Sequence, residues 1–221
     1  MNSNVILGIT GGSGAVYAVR LMDVLLASGY DVHLTISRSG ADVLRQELGL
    51  AVDADHFQPE VMTLQGTPLA TEDARRDAWK ESPGGQASEH IVRPKGHEPG
   101  IVHYHRYDDY MAPIASGTFR NAGMVICPCS GATVSAVAHG SSRHLIHRAA
   151  DVQLKERRKL ILVPREAPMS TIQLRNMCLC SEAGAIVLPE APVGITACKP
   201  SWISSISSCL AFAINWESTT T

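Results

Sequence analysis

Val5-Ile-Leu-Gly-Ile-Thr-Gly-Gly-Ser-Gly14 is an apolar run that breaks into glycines, the pattern of a buried parallel strand entering a tight turn ahead of a helix. Such a turn lets backbone N–H groups approach an anion closely, and the helix N-terminus behind it adds unpaired donors and a favourable dipole. A nucleotide or flavin is the first ligand it suggests. The spacing Gly8-x-x-Gly11-Gly12-x-Gly14 differs from the dinucleotide fingerprint G-x-G-x-x-G. Glycine at such a turn also serves simply to let helix and strand pack closely.

Beyond the turn, strand and helix patterns alternate. Ala15 to Ser28 carries apolar residues at helical spacing and stops at Gly29; Asp31 to Ser37 reads as a strand and Ala41 to Leu48 as a helix. The alternation resumes with a strand at Gly123 to Pro128, helices at Ser130 to His139 and Leu145 to Glu156, a strand at Lys159 to Val163, a helix at Ser170 to Ala183 and a last strand at Ala185 to Leu188. This order predicts an α/β fold: a three-layer αβα, Rossmann- or flavodoxin-like, doubly wound parallel sheet in a single domain over residues 1–221.

Between about Asp53 and Asp109 the periodicity is lost and Pro, Gly, His and charge collect, which reads as a polar inserted loop region. His97, His103 and His105 beside Asp108 and Asp109 resemble a metal cluster on paper. With no element to fix them in a ligand geometry, a solvated loop is the expectation. Cys127-Pro-Cys129 and Cys178-Leu-Cys180 have spacing too short for the usual structural zinc pair and sit among apolar residues, so buried thiols are expected.

A formal net charge of −2 over 221 residues gives no general pull toward nucleic acid or anionic membrane. No apolar run reaches the roughly 20 residues of a membrane span, and no signal-peptide pattern is seen, so a cytoplasmic protein is expected.

Ligands of open parallel sheets bind outside the carboxyl ends of the strands. Thr10 to Ser13, Ser37, Ser130 to Thr133, and Arg165 with Glu166 are therefore expected along one rim. Ser37 and Ser130 also suit plain helix-start or turn positions. Arg165 and Glu166, as neighbours at a strand end, are not expected to pair with each other.

Assembled, these segments resemble the UbiX-type flavin prenyltransferases of the flavin-binding cysteine decarboxylase-like fold. The resemblance rests on Gly8-Ile-Thr-Gly-Gly-Ser-Gly-Ala-Val-Tyr17, Pro113-Ile-Ala-Ser-Gly-Thr-Phe119, Cys127-Pro-Cys-Ser130, Arg148-Ala-Ala-Asp-Val-Gln-Leu-Lys-Glu156 and Leu162-Val-Pro-Arg-Glu-Ala-Pro168. It covers roughly Asn4 to Pro192 apart from the polar insertion. It implies FMN as bound flavin and substrate, dimethylallyl phosphate as prenyl donor, no metal, and a product, prenylated FMN, for a UbiD-type decarboxylase. Gly11, Gly12, Ser13, Ser37, Ser130, Gly131, Ala132, Thr133 and Arg165 fall at its flavin-contacting positions. Arg148, Lys155 and Arg165, with Ser13 and Glu166, fall around the prenyl phosphate. Glu166, Ser13 and Lys155 are the implied catalytic groups. Glu47 is implied to reach a neighbouring subunit's site, in a homo-oligomer that in the family is a dodecamer.

The chemistry is consistent with these roles. Breaking an allylic phosphate ester leaves charge on the phosphate, which Lys155 and Arg148 can stabilise, and Glu166 can accept the proton leaving the flavin ring. Glu156, Arg157 and Arg158 read as a solvated helix face.

Past Pro192 the resemblance stops. Val193-Gly-Ile-Thr-Ala-Cys-Lys-Pro-Ser-Trp-Ile-Ser-Ser-Ile-Ser-Ser208 makes a poor amphipathic helix. Read one base out of phase, Trp202-Ile203 codes Asp, and Asn215-Trp216-Glu217 codes Leu then Gly whatever synonymous codons are used. A single-base frameshift between about Pro189 and Ile195 restores the family's tail pattern. The tail as written, residues 193–221, offers Ile195 near the family's phosphate-holding Tyr and no arginine after Arg175.

Other readings are an FMN-dependent cysteine decarboxylase of the same fold, a non-catalytic FMN carrier, and a short-chain dehydrogenase. The last requires Tyr-x-x-x-Lys, whereas Tyr104, Tyr107 and Tyr110 are followed four residues on by Asp108, Met111 and Ile114.

Overall fold

The structure is a computed structural model that describes residues 4–62 and 99–189. Six parallel strands form one sheet in the order β3-β2-β1-β4-β5-β6. They are β1 (Asn4–Ile9), β2 (Asp31–Ile36), β3 (Val102–Tyr104), β4 (Met124–Cys129), β5 (Leu160–Pro164) and β6 (Ile186–Val187). The helices are α1 (Ala15–Ala27), α2 (Arg38–Leu48), α3 (Gly131–Ala138), α4 (Leu145–Lys155) and α5 (Thr171–Glu182). The doubly wound expectation is met, and the strand order reverses between β1 and β4.

Strand alternation divides the core between two faces. Val5, Leu7 and Ile9 pack with α1 and α2 residues such as Tyr17, Leu21 and Leu44. Ile6, Met124 and Ile126 pack on the other face with Leu145, Ile146, Ala149 and Cys180. Because β1, β4 and β5 are covered on both faces, they read as nearly continuous apolar runs, whereas β2 alternates Asp31, His33 and Thr35 with Val32, Leu34 and Ile36.

The polar region is not wholly loop. It closes on β3, an edge strand of three residues that pairs with β2. His103 lies within β3, and His105 is a half-buried partner of His33 rather than a solvated side chain. Three alternating residues are too few for a period-two signal in a polar stretch. His97 and the tail after Pro189 lie outside the described residues, as do positions 63–98.

Cys127, Cys129 and Cys180 are buried as expected, but Cys178 is exposed, because it occupies the outward face of α5. Burial pushes the Cys180 thiol up to about 11. Among the described residues no group of three or more His, Cys, Asp or Glu is placed to hold a metal ion, and no helix is long and apolar enough to cross a membrane.

Candidate functional site

The turns after β1 and β4 lie side by side at the strand-order reversal, where an open sheet forms its crevice. Thr10 ties them together. Its hydroxyl donates to the Pro128 carbonyl at 2.9 Å and accepts from the Ser130 N–H at 2.8 Å, while its own N–H reaches the same carbonyl at 3.1 Å. A Cβ on Gly12 would lie 3.3 Å from both the Cys129 carbonyl carbon and Pro128 Cβ, so a side chain there would push the two turns apart.

Three helix N-termini face this rim, and they differ in occupancy. Ser37 caps α2, accepting from Gly40 N–H at 3.0 Å, and Ser130 caps α3, accepting from Thr133 N–H at 3.3 Å. The helix-start reading of both serines is therefore realised. Neither helix has an acidic residue in its first turn. A capping hydroxyl accepts through oxygen and keeps its proton to donate, so capping and anion binding are compatible. Gly131, Ala132 and Thr133 form the first turn of α3, with Ala132 exposed and Thr133 buried.

The N-terminus of α1 is already filled. Gly14 adopts a left-handed φ of 110° and offers no side chain as a cap. Glu47, in the last turn of α2, supplies one: its carboxylate accepts from the Ser13 hydroxyl at 2.6 Å, from Gly14 N–H at 3.0 and 3.1 Å, and from Ala15 N–H at 2.8 Å. Within this chain Glu47 thus has partners of its own, where the resemblance had it reach a neighbouring subunit's site. Packing of α1 beside α2 carries its side chain to the turn of its own chain.

Arg165, just past β5, donates from Nη1 to the Ser13 hydroxyl, giving a chain Arg165–Ser13–Glu47 from β5 across to α2. Glu166 turns the other way. It lines an apolar cleft with Gly131, Val134, Pro164, Met169, Gln173 and Met177. The two neighbours part, as strand-end alternation dictates. The cleft's outer wall is the start of α5, fixed by a capping box in which Ser170 accepts from Gln173 N–H and the Gln173 side chain accepts from Ser170 N–H. The sequence signal for that wall is Ser-x-x-Gln, which the rim inventory passed over.

Arg148 and Lys155 do not join this rim. They lie two turns apart on one stripe of α4, beside residues 113–117. Arg148 donates to Asp151 at 2.9 Å and to the Ala115 carbonyl at 3.3 Å; Lys155 pairs with Glu156. Since α4 leads into β5, it runs antiparallel to the sheet and Lys155 ends near the strands' N-terminal edge, roughly 15 Å of strand away from the rim. Within one chain, then, the two cations stand apart from Ser13, Arg165 and Glu166. Arg158 is not solvated either, since it clamps the Phe119 and Gly117 carbonyls at 2.6 and 2.5 Å.

A flavoprotein family model matches residues 1–214. The flavin prenyltransferase UbiX of Alkalihalophilus pseudofirmus is 41% identical over 186 residues, covering 84% of this chain and 77% of that protein. The crystal structure of AnUbiX (PadA1) with FMN and dimethylallyl pyrophosphate superposes with a TM-score of 0.68 at 28% identity, covering 97% of this chain and 92% of that one. A dodecameric FMN-dependent UbiX-like decarboxylase from Escherichia coli O157:H7 gives a TM-score of 0.63 at 28% identity, covering 97% and 93%.

Proposed function

Because the chain belongs to the flavoprotein family and within it to the UbiX flavin prenyltransferases, we propose that its β1–β4 crevice transfers a dimethylallyl group from dimethylallyl phosphate to N5 and C6 of reduced FMN. The chain is a transferase that uses FMN. The carrying observation is the crevice itself: two glycine and serine turns at the strand-order reversal, with Arg165 and Glu166 at the neighbouring strand end.

The residues present fit a flavin phosphate. With Glu47 filling the α1 turn, the phosphate falls to the two N-termini that lack a carboxylate, where Ser37 and the Ser130–Thr133 turn offer hydroxyl and backbone donors. Gly11 and Gly12 let the first turn close against Ser39 and the Pro128–Cys129 turn, which sets its backbone at the rim. Arg165, held by Ser13, presents a fixed cation at the rim. Reduced flavin, when bound, supplies the nucleophilic N5 and C6. Glu166, aimed into the apolar Met169–Met177 cleft, is the base for the proton that leaves C6.

Cleavage of the allylic C–O bond leaves its electron pair on phosphate, and Arg148 and Lys155 are the cations to stabilise it. Their place on α4 means they serve another subunit's rim, so each site is completed by a second chain of an oligomer. A dodecamer fits this reading and is the assembly of the Escherichia coli relative. The product, prenylated FMN, is destined for a UbiD-type decarboxylase, and the enzyme works in the cytoplasm.

Purified protein incubated with reduced FMN and dimethylallyl phosphate, then examined by mass and absorbance, tests this. A flavin heavier by one C5H8 unit is expected. Tightly bound but unchanged FMN would make the protein a carrier and overturn the proposal.

A further inference from the structure

Away from the crevice, the outer strands carry a row of imidazoles. His33 on β2 is the register partner of His103 on β3 and of Ile6 on β1, so both rings lie on the sheet face that carries Ile6. His33 is 6% exposed. Its ring stacks on His103 and His105 at centroid distances of 4.6 and 5.2 Å, and Phe119 meets it edge-on at 4.7 Å.

The hydrogen bonds fix the tautomers. Asn4 donates from Nδ2 to the Arg120 carbonyl at 3.2 Å, which leaves Oδ1 to accept from His33 Nε2, also at 3.2 Å. His33 Nδ1 then carries no proton, and His105 Nε2 must donate to it across 2.9 Å. A second proton on His33 would set two N–H groups against each other at that distance unless His105 moved its own proton to Nδ1, and in either case it would place a charge in a buried cluster of imidazoles.

We propose that the chain Asn4–His33–His105 is an acid-released latch: with His33 neutral it pins edge strand β3 and the segment after it to β2, and protonation of buried His33 favours the unlatched arrangement, in which water can solvate the charge. The segment it holds matters to the rim. Two residues past His105, the Tyr107 carbonyl accepts from Leu145 N–H at the start of α4 at 2.7 Å, and the Arg38 guanidinium of α2 stands 5.4 Å from the Tyr107 ring.

The groups facing the latch set its direction. Burial, then His105 and His103, push His33 down to about 4, against a smaller opposing effect of Asp31. Burial and His103 lower His105, opposed by Asp109. Asp31 is also engaged at the entry to β3, accepting from Ile101 N–H at 3.0 Å. An imidazole whose folded pKa lies below its unfolded value takes up its proton on opening, so between about pH 6.5 and 4 acid favours the open form.

Hydrogen exchange at residues 102–107, corrected for intrinsic rates, reads the latch directly. From pH 7 to pH 5 the opening constant of this segment rises roughly twentyfold if His33 alone is released, while β1 and β4 amides change little. His33→Gln can still donate to Asn4 and accept from His105 but cannot be protonated, and it leaves only the smaller rise that His105 contributes. His105→Gln still donates to His33 and keeps it. A segment whose protection ignores pH, the same rise in His33→Gln, or its loss in His105→Gln would overturn the proposal.

Discussion

The Glu47 carboxylate accepts the Ser13 hydroxyl at 2.6 Å across 34 positions of sequence, and with the Gly14 and Ala15 N–H groups it closes the N-terminus of α1. A turn whose glycines read as a phosphate cradle therefore holds a carboxylate from its own chain. On the proposed function that contact leaves the N-termini of α2 and α3 for the flavin phosphate, and it makes Ser13 the joint between Glu47 and Arg165.

Removing the carboxylate should cost stability before it costs chemistry. Glu47→Ala leaves the first turn of α1 without a cap, since Gly14 supplies none, and is expected to destabilise by about 1–2 kcal/mol. Glu47→Gln, which keeps one acceptor, should lose less than half of that. Urea unfolding of the two variants checks the order.

Ser13→Ala cuts the link between Arg165 and Glu47 without altering the backbone turn. The expected result is a prenyl-transfer rate lower by at least about tenfold, with FMN affinity changed by no more than a few fold. Single-turnover product analysis and flavin titration separate the two effects.

His147 is 7% exposed, its ring centroid lies 3.7 Å from that of His144, and neither of its ring nitrogens has a partner among the described residues. Burial, with His144 and Arg143 adding, pushes it down to about 4. The unfolded chain binds this proton near pH 6.5 and the folded chain does not until about pH 4, so the stability it contributes falls as pH drops through that window. His147→Leu should flatten the decline in the urea midpoint between pH 7 and 5, and should be neutral or stabilising at pH 7 because it removes an unpaired polar ring.

The tail gives a prediction of its own. Residues 193–221 as written lack the Tyr and Arg of the family pattern, so FMN binding should survive while prenyl transfer is weakened. A chain encoded with the one-base shift near Pro192 should transfer at least about tenfold faster than this one. Equal rates from the two chains would refute the weakening of transfer assigned to the tail.

Strands β1, β4 and β5 were legible because burial on both faces makes them nearly continuous apolar runs, and the glycine turn was legible because backbone approach demands glycine. Helix starts were less so: α2 begins at Arg38 rather than Ala41, since the Ser37 cap, not the first apolar residue, sets it. Edge strand β3 escaped because it is three residues long and its middle residue, His103, is a polar residue that packs against His33 of β2. The Glu47 contact escaped because it depends on how two helices pack. The position of Lys155 was available in principle, since a helix leading into a parallel strand must end at that strand's N-terminal edge; the motif drew attention to residue type instead of direction.

The central claim is that Glu166 of one chain and Lys155 of another serve the same transfer site. Lys155→Ala and Glu166→Gln are each expected to abolish transfer alone, so co-assembled equal mixtures test it through the prenylated flavin they form. Random mixing restores a fully native pair at about one site in four, and the mixed oligomers should recover about a quarter of the activity of the unmutated protein. Mixed oligomers no more active than either variant alone would contradict it.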